Sequence, residues 1–119
     1  MTNADQAKQH LEKAKQQGQP VLVDFYADWC LDCKRMDRTT FLSEEVHASM
    51  KGWSLIKIDV TDTNKNSEVV KKYFDVFGPP ATLFFDHNGN EKQALRQYGY
   101  LNVDEFISLA KQTTAKVSL

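Results

Sequence analysis

Apolar residues recur along this chain with two different periods. Over residues 3–17, Ala4, Ala7, Leu11 and Ala14 fall on one face of a 3.6-residue repeat, so an amphipathic helix is expected there, stopped by Gly18 and Pro20. VLVDFYA, residues 21–27, is instead a near-continuous apolar, β-branched and aromatic run. Such a run suits a central strand covered on both faces, and only Asp24 interrupts it. Helical spacing returns from Cys30 to about Thr39. Ser43, followed by Glu44 and Glu45, has the form of a fresh helix start. SLIKIDV, residues 54–60, alternates as a second strand, and residues 61–64 read as a polar turn. Val69, Val70, Tyr73, Phe74 and Phe77 are expected to line the inner face of a further helix.

Gly78-Pro79-Pro80 ends that helix and leads into ATLFF, a short apolar strand. Asp86-His87-Asn88-Gly89 is a hairpin turn, followed by an expected strand around residues 94–99. Asn102 and Glu105 have capping-box spacing and open a last helix with Phe106, Ile107 and Ala110 inward. The order α-β-α-β-α-β-β-α specifies an α/β chain with a mixed sheet and helices on both faces. No repeat, linker or low-complexity stretch divides it. One domain over residues 1–119 is expected, with an N-terminal helix (1–18), a core (19–112) and a tail (113–119).

Composition adds mainly exclusions. A chain of 119 residues that is 41% hydrophobic buries a sizeable core without a metal or disulfide staple. A formal charge of -1 gives no global attraction to nucleic acid or to an anionic membrane. No apolar run approaches the roughly 18 residues needed to cross a bilayer. The polar start, MTNADQAKQHLEKAKQQ, has no signal-peptide apolar segment. The expectation is a cytosolic protein or a soluble piece whose export signal lies elsewhere.

The chemistry concentrates in YADWCLDCK, residues 26–34, which holds both cysteines. Zinc wants four ligands, and one Cys-x-x-Cys supplies two, while His10, His47 and His87 lie far apart in sequence. A structural disulfide closing so short a loop constrains the unfolded chain least. A redox couple has a mechanism. Unpaired N–H groups at a helix start stabilise a Cys30 thiolate on a turn that exposes it, and Cys33, one turn in, resolves the mixed disulfide. Redox exchange is the reading the spacing favours, with a preceding strand and a following helix.

The acids around the pair bear on the direction of electron flow. Asp24, inside an apolar strand, is costly to bury ionised, so it is paired, protonated or water-linked, and it is placed to exchange a proton with Cys33. Asp37 lies four residues after Cys33 on the same helix face; the alternative is a solvated acid paired with Lys34 or Arg38. Asp28 and Asp32 are expected at the surface. Negative charge near a thiol raises its pKa and disfavours the reduced form, which makes the couple a better electron donor. Trp29 reads equally as an apolar docking rim or as core packing. Pro80 reads as a loop proline or as a cis proline entering a strand. Pro79, with no N–H, removes one donor from any strand-like pairing with a partner there.

VLVDFYADWCLDCK followed downstream by GPPATLFF resembles the thioredoxin fold over about residues 19–112. YADWCLDCK, TFLSEEV, KIDVTDTN and LFFDHNGNE are more closely similar to the C-terminal domain of the DsbD family, a bacterial inner-membrane reductant conduit whose soluble ends face the periplasm. The resemblance implies a thioredoxin fold with a short helical insertion, TTFLSEEV, after the Cys-x-x-Cys helix. It implies Cys30 as nucleophile, Cys33 as resolving thiol, Asp24 as the carboxylate beneath them, Asp37 as a second acid and Pro80 as a cis proline opposite the sulfurs. Trp29, Leu31, Asp32, Pro79 and Pro80 are expected to meet the partner. Electrons would pass from a membrane-embedded domain to an N-terminal domain of the same protein, in a periplasmic pathway that serves cytochrome c biogenesis. The domain would be a monomer and would need no metal or soluble cofactor beyond its own disulfide. The alternatives are a free-standing thioredoxin-like reductase of client disulfides and a non-catalytic binding module.

Overall fold

The structure is a computed structural model and describes residues 3–115. Helix α1 (Ala4–Gln16) starts where the Asn3 side chain accepts from the Asp5 backbone N–H at 2.7 Å. It ends before Gly18, whose φ of +67° a side chain would disfavour. Ala4, Ala7 and Ala14 are buried, and Leu11 packs at the edge of the same stripe.

Strand β1 (Val21–Tyr26) lies between β2 (Ser54–Asp59), to which it is parallel, and β3 (Ala81–Phe85), to which it is antiparallel. A short β4 (Gln97–Tyr98) pairs antiparallel with β3, giving the order β2-β1-β3-β4. Both faces of the sheet are covered. On one, Val23, Phe25, Ile56 and Ile58 pack with the alanines of α1 and with Val70 and Phe74 of α4 (Lys65–Phe74). On the other, Leu22 and Phe84 pack with Met36 of α2 (Leu31–Arg38), Val46 of α3 (Glu44–Ser49) and Phe106 of α5 (Val103–Thr114). Two covered faces are why the first strand reads as a continuous apolar run. Burial of Phe25, Phe84 and Phe106 stabilises the fold by roughly 1.5–3 kcal/mol each.

The expected capping devices are present. Ser43 Oγ accepts from the Val46 N–H, and Asn102 and Glu105 form a reciprocal capping box at 2.9 and 3.0 Å. A single 3₁₀ turn, Thr40–Leu42, joins α2 to α3. Helix α5 runs to Thr114, into the expected tail, and residues 116–119 of that tail lie outside the described residues.

Two expectations are corrected. Helix α4 ends at Phe74, short of Phe77, because Asp75 takes a left-handed conformation (φ 55°). There the Asp75 N–H bonds to the Lys72 carbonyl at 3.1 Å and the Val76 N–H to that of Lys71 at 2.8 Å, closing the helix. Of the five apolar residues expected to face inward, only Val70 and Phe74 are buried; Val69 and Tyr73 stand half out, and Phe77 is 92% exposed. The strand expected around residues 94–99 shrinks to Gln97–Tyr98. A 3₁₀ turn, Gln93–Leu95, lifts the chain off the sheet edge and sends Arg96 to the end of α4. Arg96 donates to the carbonyls of Phe74 and Asp75 at 2.8 and 2.6 Å, satisfying carbonyls the helix leaves open. Its other edge holds the Glu91 carboxylate at 2.6 and 2.8 Å.

Candidate active site

Strand β1 ends at Tyr26 and the next helix begins at Leu31, so the four-residue loop between them delivers Cys30 to the N-cap of α2. Cys30 and Cys33 are joined as a disulfide. The Cys33 backbone N–H donates to the Cys30 Sγ at 3.2 Å, and the Cys30 N–H is held by the Ala27 carbonyl at 3.1 Å. A helix-start N–H aimed at sulfur favours the thiolate once the disulfide is reduced. Cys33 Sγ lies 3.9 Å from the Phe25 carbonyl oxygen, toward the sheet.

The turn does not leave Cys30 open, contrary to expectation. With its sulfur tied to Cys33, the residue is 6% exposed and belongs to the same apolar cluster as Ala27, Val76 and Ala81. Ala81 follows the Pro79–Pro80 peptide, which is cis. The Pro80 carbonyl is used within the chain, accepting from the Gly99 N–H at 3.0 Å.

Next to the cysteines in sequence, Trp29 is 58% exposed and Leu31 83% exposed, so Trp29 lies at the surface and not in the core. Its indole N–H donates to the Thr61 carbonyl at 3.0 Å, while the Asp28 N–H donates to Thr61 Oγ1 at 2.9 Å. Thr61, read from sequence as a turn residue, thus anchors the loop before the cysteines. Asp28 is exposed and accepts from the Tyr26 hydroxyl at 2.8 Å, which raises the tyrosine pKa. Asp32 is exposed as well.

Two of the acids, Asp24 and Asp37, come together in one cavity. Alternation along β1 turns Asp24 to the same sheet face as Leu22, the face packed by α2, α3 and α5. The carboxyl is pushed up from 3.8 to about 7, first by burial; the Lys57 charge opposes the shift and the Asp37 charge adds to it. Asp24, Asp37, His47 and Lys57 share a cavity of about 210 Å³ whose walls include Phe41 and Leu55. Asp37 does not pair with Lys34 or Arg38. Its Oδ2 lies 3.2 Å from Nζ of Lys57, which also stands 4.2 Å from the centre of the Tyr26 ring. Lys57 is the residue that sequence reasoning missed. Its signal was the polar phase of SLIKIDV, which register brings beside Asp24.

Among the described residues, no three of His, Cys, Asp and Glu gather where they could hold a metal ion. No helix among them is long and apolar enough to cross a membrane.

Comparison with known proteins gives a consistent picture. A family model described as thioredoxin-like matches residues 2–87. The thiol:disulfide interchange protein DsbD of Ralstonia nicotianae is 42% identical over 91 residues, covering 76% of this chain and 15% of that protein. DsbD of Yersinia pestis is 38% identical over 102 residues, covering 86% of this chain and 17% of that one. The chain therefore spans less than a fifth of the length of these curated relatives. Among solved structures, the oxidised DsbD C-terminal domain of Neisseria meningitidis superposes with a TM-score of 0.78 at 30% identity, covering 95% of this chain and 99% of that one. Its reduced form gives 0.82 at 29% identity, covering 94% and 97%. A Thermus thermophilus thioredoxin, 19% identical with a TM-score of 0.73 over 88% of this chain and 81% of that one, shares the fold.

Proposed function

The chain belongs to the thioredoxin-like family, and from that premise we propose that it is a thiol-disulfide oxidoreductase working as a reductant. The observation that carries this reading is the Cys30–Cys33 disulfide at the start of α2, with the Cys33 N–H aimed at the Cys30 sulfur. In the reduced protein the Cys30 thiolate attacks a partner disulfide. One Cys30–partner bond forms, and the partner's other sulfur leaves as a thiolate. Cys33 then gives its proton to Asp24 and attacks Cys30 Sγ. This restores the intramolecular disulfide and releases the second partner thiolate, so two electrons have passed to the partner. A carboxyl whose pKa lies near 7 takes and returns that proton near neutral pH.

The likeness to DsbD C-terminal domains supports a finer reading. The chain acts as the C-terminal domain of a DsbD-like inner-membrane protein on the periplasmic side. It takes electrons from a membrane-embedded domain and passes them to the N-terminal domain through the rim of Trp29, Leu31, Asp32, Pro79 and Pro80. Pro79 has no N–H, so the partner strand meets carbonyl and side-chain groups there.

The test is chemical trapping. Cys33→Ser should accumulate mixed disulfides through Cys30, and Cys30→Ser should lose insulin reduction altogether. Retained insulin reduction in Cys30→Ser would overturn the assignment, and a Cys33→Ser protein that traps nothing would point to a binding module.

A further inference from the structure

Thr82 is the second residue of β3 and is fully buried. The other buried polar side chains have partners. Thr40 donates to the Leu101 carbonyl at 2.6 Å, Thr113 to that of Leu109 at 2.8 Å, and Ser67 to that of Asp62. Thr82 Oγ1 is the one buried side-chain polar atom without a hydrogen-bond partner among the described residues. Every other residue of β3 is apolar, and valine would fill the same space without a hydroxyl to satisfy.

The position of Thr82 gives the hydroxyl a purpose. The antiparallel register of β1 and β3 sets Thr82 directly opposite Asp24, and the parallel register of β1 and β2 sets Lys57 opposite Asp24 from the other side. Opposed residues of neighbouring strands project to one face with Cβ atoms roughly 5 Å apart. Lys57, Asp24 and Thr82 therefore form a polar row across three strands, on a face otherwise built from Leu22 and Phe84. Asp24 has a cation on one flank and an unspent hydroxyl donor on the other.

We propose that the Thr82 hydroxyl, unpartnered in this structure, turns to donate a hydrogen bond to Asp24 on the flank opposite Lys57 when that carboxylate is ionised, and so positions it to receive the Cys33 proton. The inference rests on the reduction chemistry proposed above. The step moves one proton and no electrons: the Cys33 S–H bond breaks, an O–H bond forms on Asp24, and the Thr82 hydroxyl is released as the carboxylate is neutralised. A donor that binds the charged form lowers the carboxyl pKa, so Thr82 works with Lys57 against burial. The other charged or titratable groups facing Asp24 are Asp37 from α2 and His47 from α3, both lining the same cavity.

The test is the carbon-13 NMR titration of the Asp24 carboxyl in the oxidised protein, where neither cysteine titrates. Thr82→Val should raise the Asp24 midpoint by about one pH unit, a roughly tenfold fall in the ratio of ionised to neutral carboxyl. Thr82→Ser, which keeps the hydroxyl, should restore it. In the reduced protein, the rate at which Cys33 resolves a mixed disulfide should shift its pH profile to higher pH in Thr82→Val alone. A Thr82→Val protein whose Asp24 titrates as in the wild type would overturn the proposal, as would a Thr82→Ser protein that behaves like Thr82→Val. The titration needs no thiol exchange, so its outcome stands apart from the trapping test of the reaction itself.

Discussion

Lys57 Nζ lies 3.2 Å from Asp37 Oδ2, while the register of β1 and β2 places the same lysine beside Asp24. One cation from an edge strand thus answers two acids, one on the central strand and one on the redox helix. The pairing with Asp37 is half-exposed, so its own contribution to stability is small. Its consequence is electrostatic: Asp24 and Asp37 share a cavity, and Lys57 holds down the repulsion between them.

Replacing Lys57 with Met should therefore push the Asp24 pKa above its value of about 7, since the opposing charge is lost and burial and Asp37 remain. The expected rise is about one unit, read by carboxyl NMR titration. An unchanged midpoint would show that Lys57 serves Asp37 alone.

Asp24 should make the oxidised fold less stable as pH rises. Its folded pKa of about 7 lies above the ordinary 3.8, so between those values the folded chain binds more protons than the unfolded one. Stability is then fullest below about pH 4, falls through the window and levels off above pH 7. Asp24→Asn should abolish that dependence, gaining up to about 4 kcal/mol over wild type at pH 8 and little at pH 4. Access to the cavity moderates the gain. Urea unfolding of both proteins at the two pH values measures it.

In the reduced protein, Asp24→Asn should lower the Cys30 thiol pKa, by about half a unit to one unit, because a nearby negative charge is removed. Asp37→Asn should have the smaller effect, since Lys57 already offsets that charge. Thiolate ultraviolet absorbance against pH follows both. An unchanged thiolate titration in Asp24→Asn would end the idea that this acid biases the couple toward electron donation.

Arg96 should matter to stability more than a surface arginine does. It is held by the Glu91 carboxylate on one edge and by the last carbonyls of α4 on the other. Arg96→Met should cost about 2–4 kcal/mol in chemical denaturation, with Glu91 left partly buried and unpaired. Arg96→Lys should recover only part, because an ammonium lacks the planar fork.

Leu31 is the converse case. At 83% exposed it contributes little to folding, so Leu31→Ser should stay within about 0.5 kcal/mol of wild type. Because Leu31 belongs to the proposed docking rim, reduction of a protein disulfide should slow by roughly tenfold, equivalent to about 1.4 kcal/mol of lost contact. Exchange with a small dithiol should not change.

Much of this was legible in the chain. The Cys-x-x-Cys pair on a strand-to-helix turn, the apolar first strand and the caps at Ser43 and Asn102 are local patterns, and local patterns survive into the structure. Asp24 stood out because a charge inside an apolar strand contradicts its surroundings. The reach of α4 and of the fourth strand was misread for a related reason. The apolar spacing continued to Phe77, but the left-handed turn at Asp75 and the grip of Arg96 on the carbonyls of Phe74 and Asp75 stop the helix earlier.

By itself, the sequence determined the elements, the redox pair and the oddity of Asp24, since periodicity, capping and residue spacing act over a few positions. Only the tertiary structure decided that Lys57 and Thr82 flank Asp24, that Asp37 answers to β2 and that Cys30 is covered. Those relationships join positions 33, 58 and 20 residues apart, or depend on what packs over them. Their physical cause is strand register, which the packing of both sheet faces selects and no local stretch encodes.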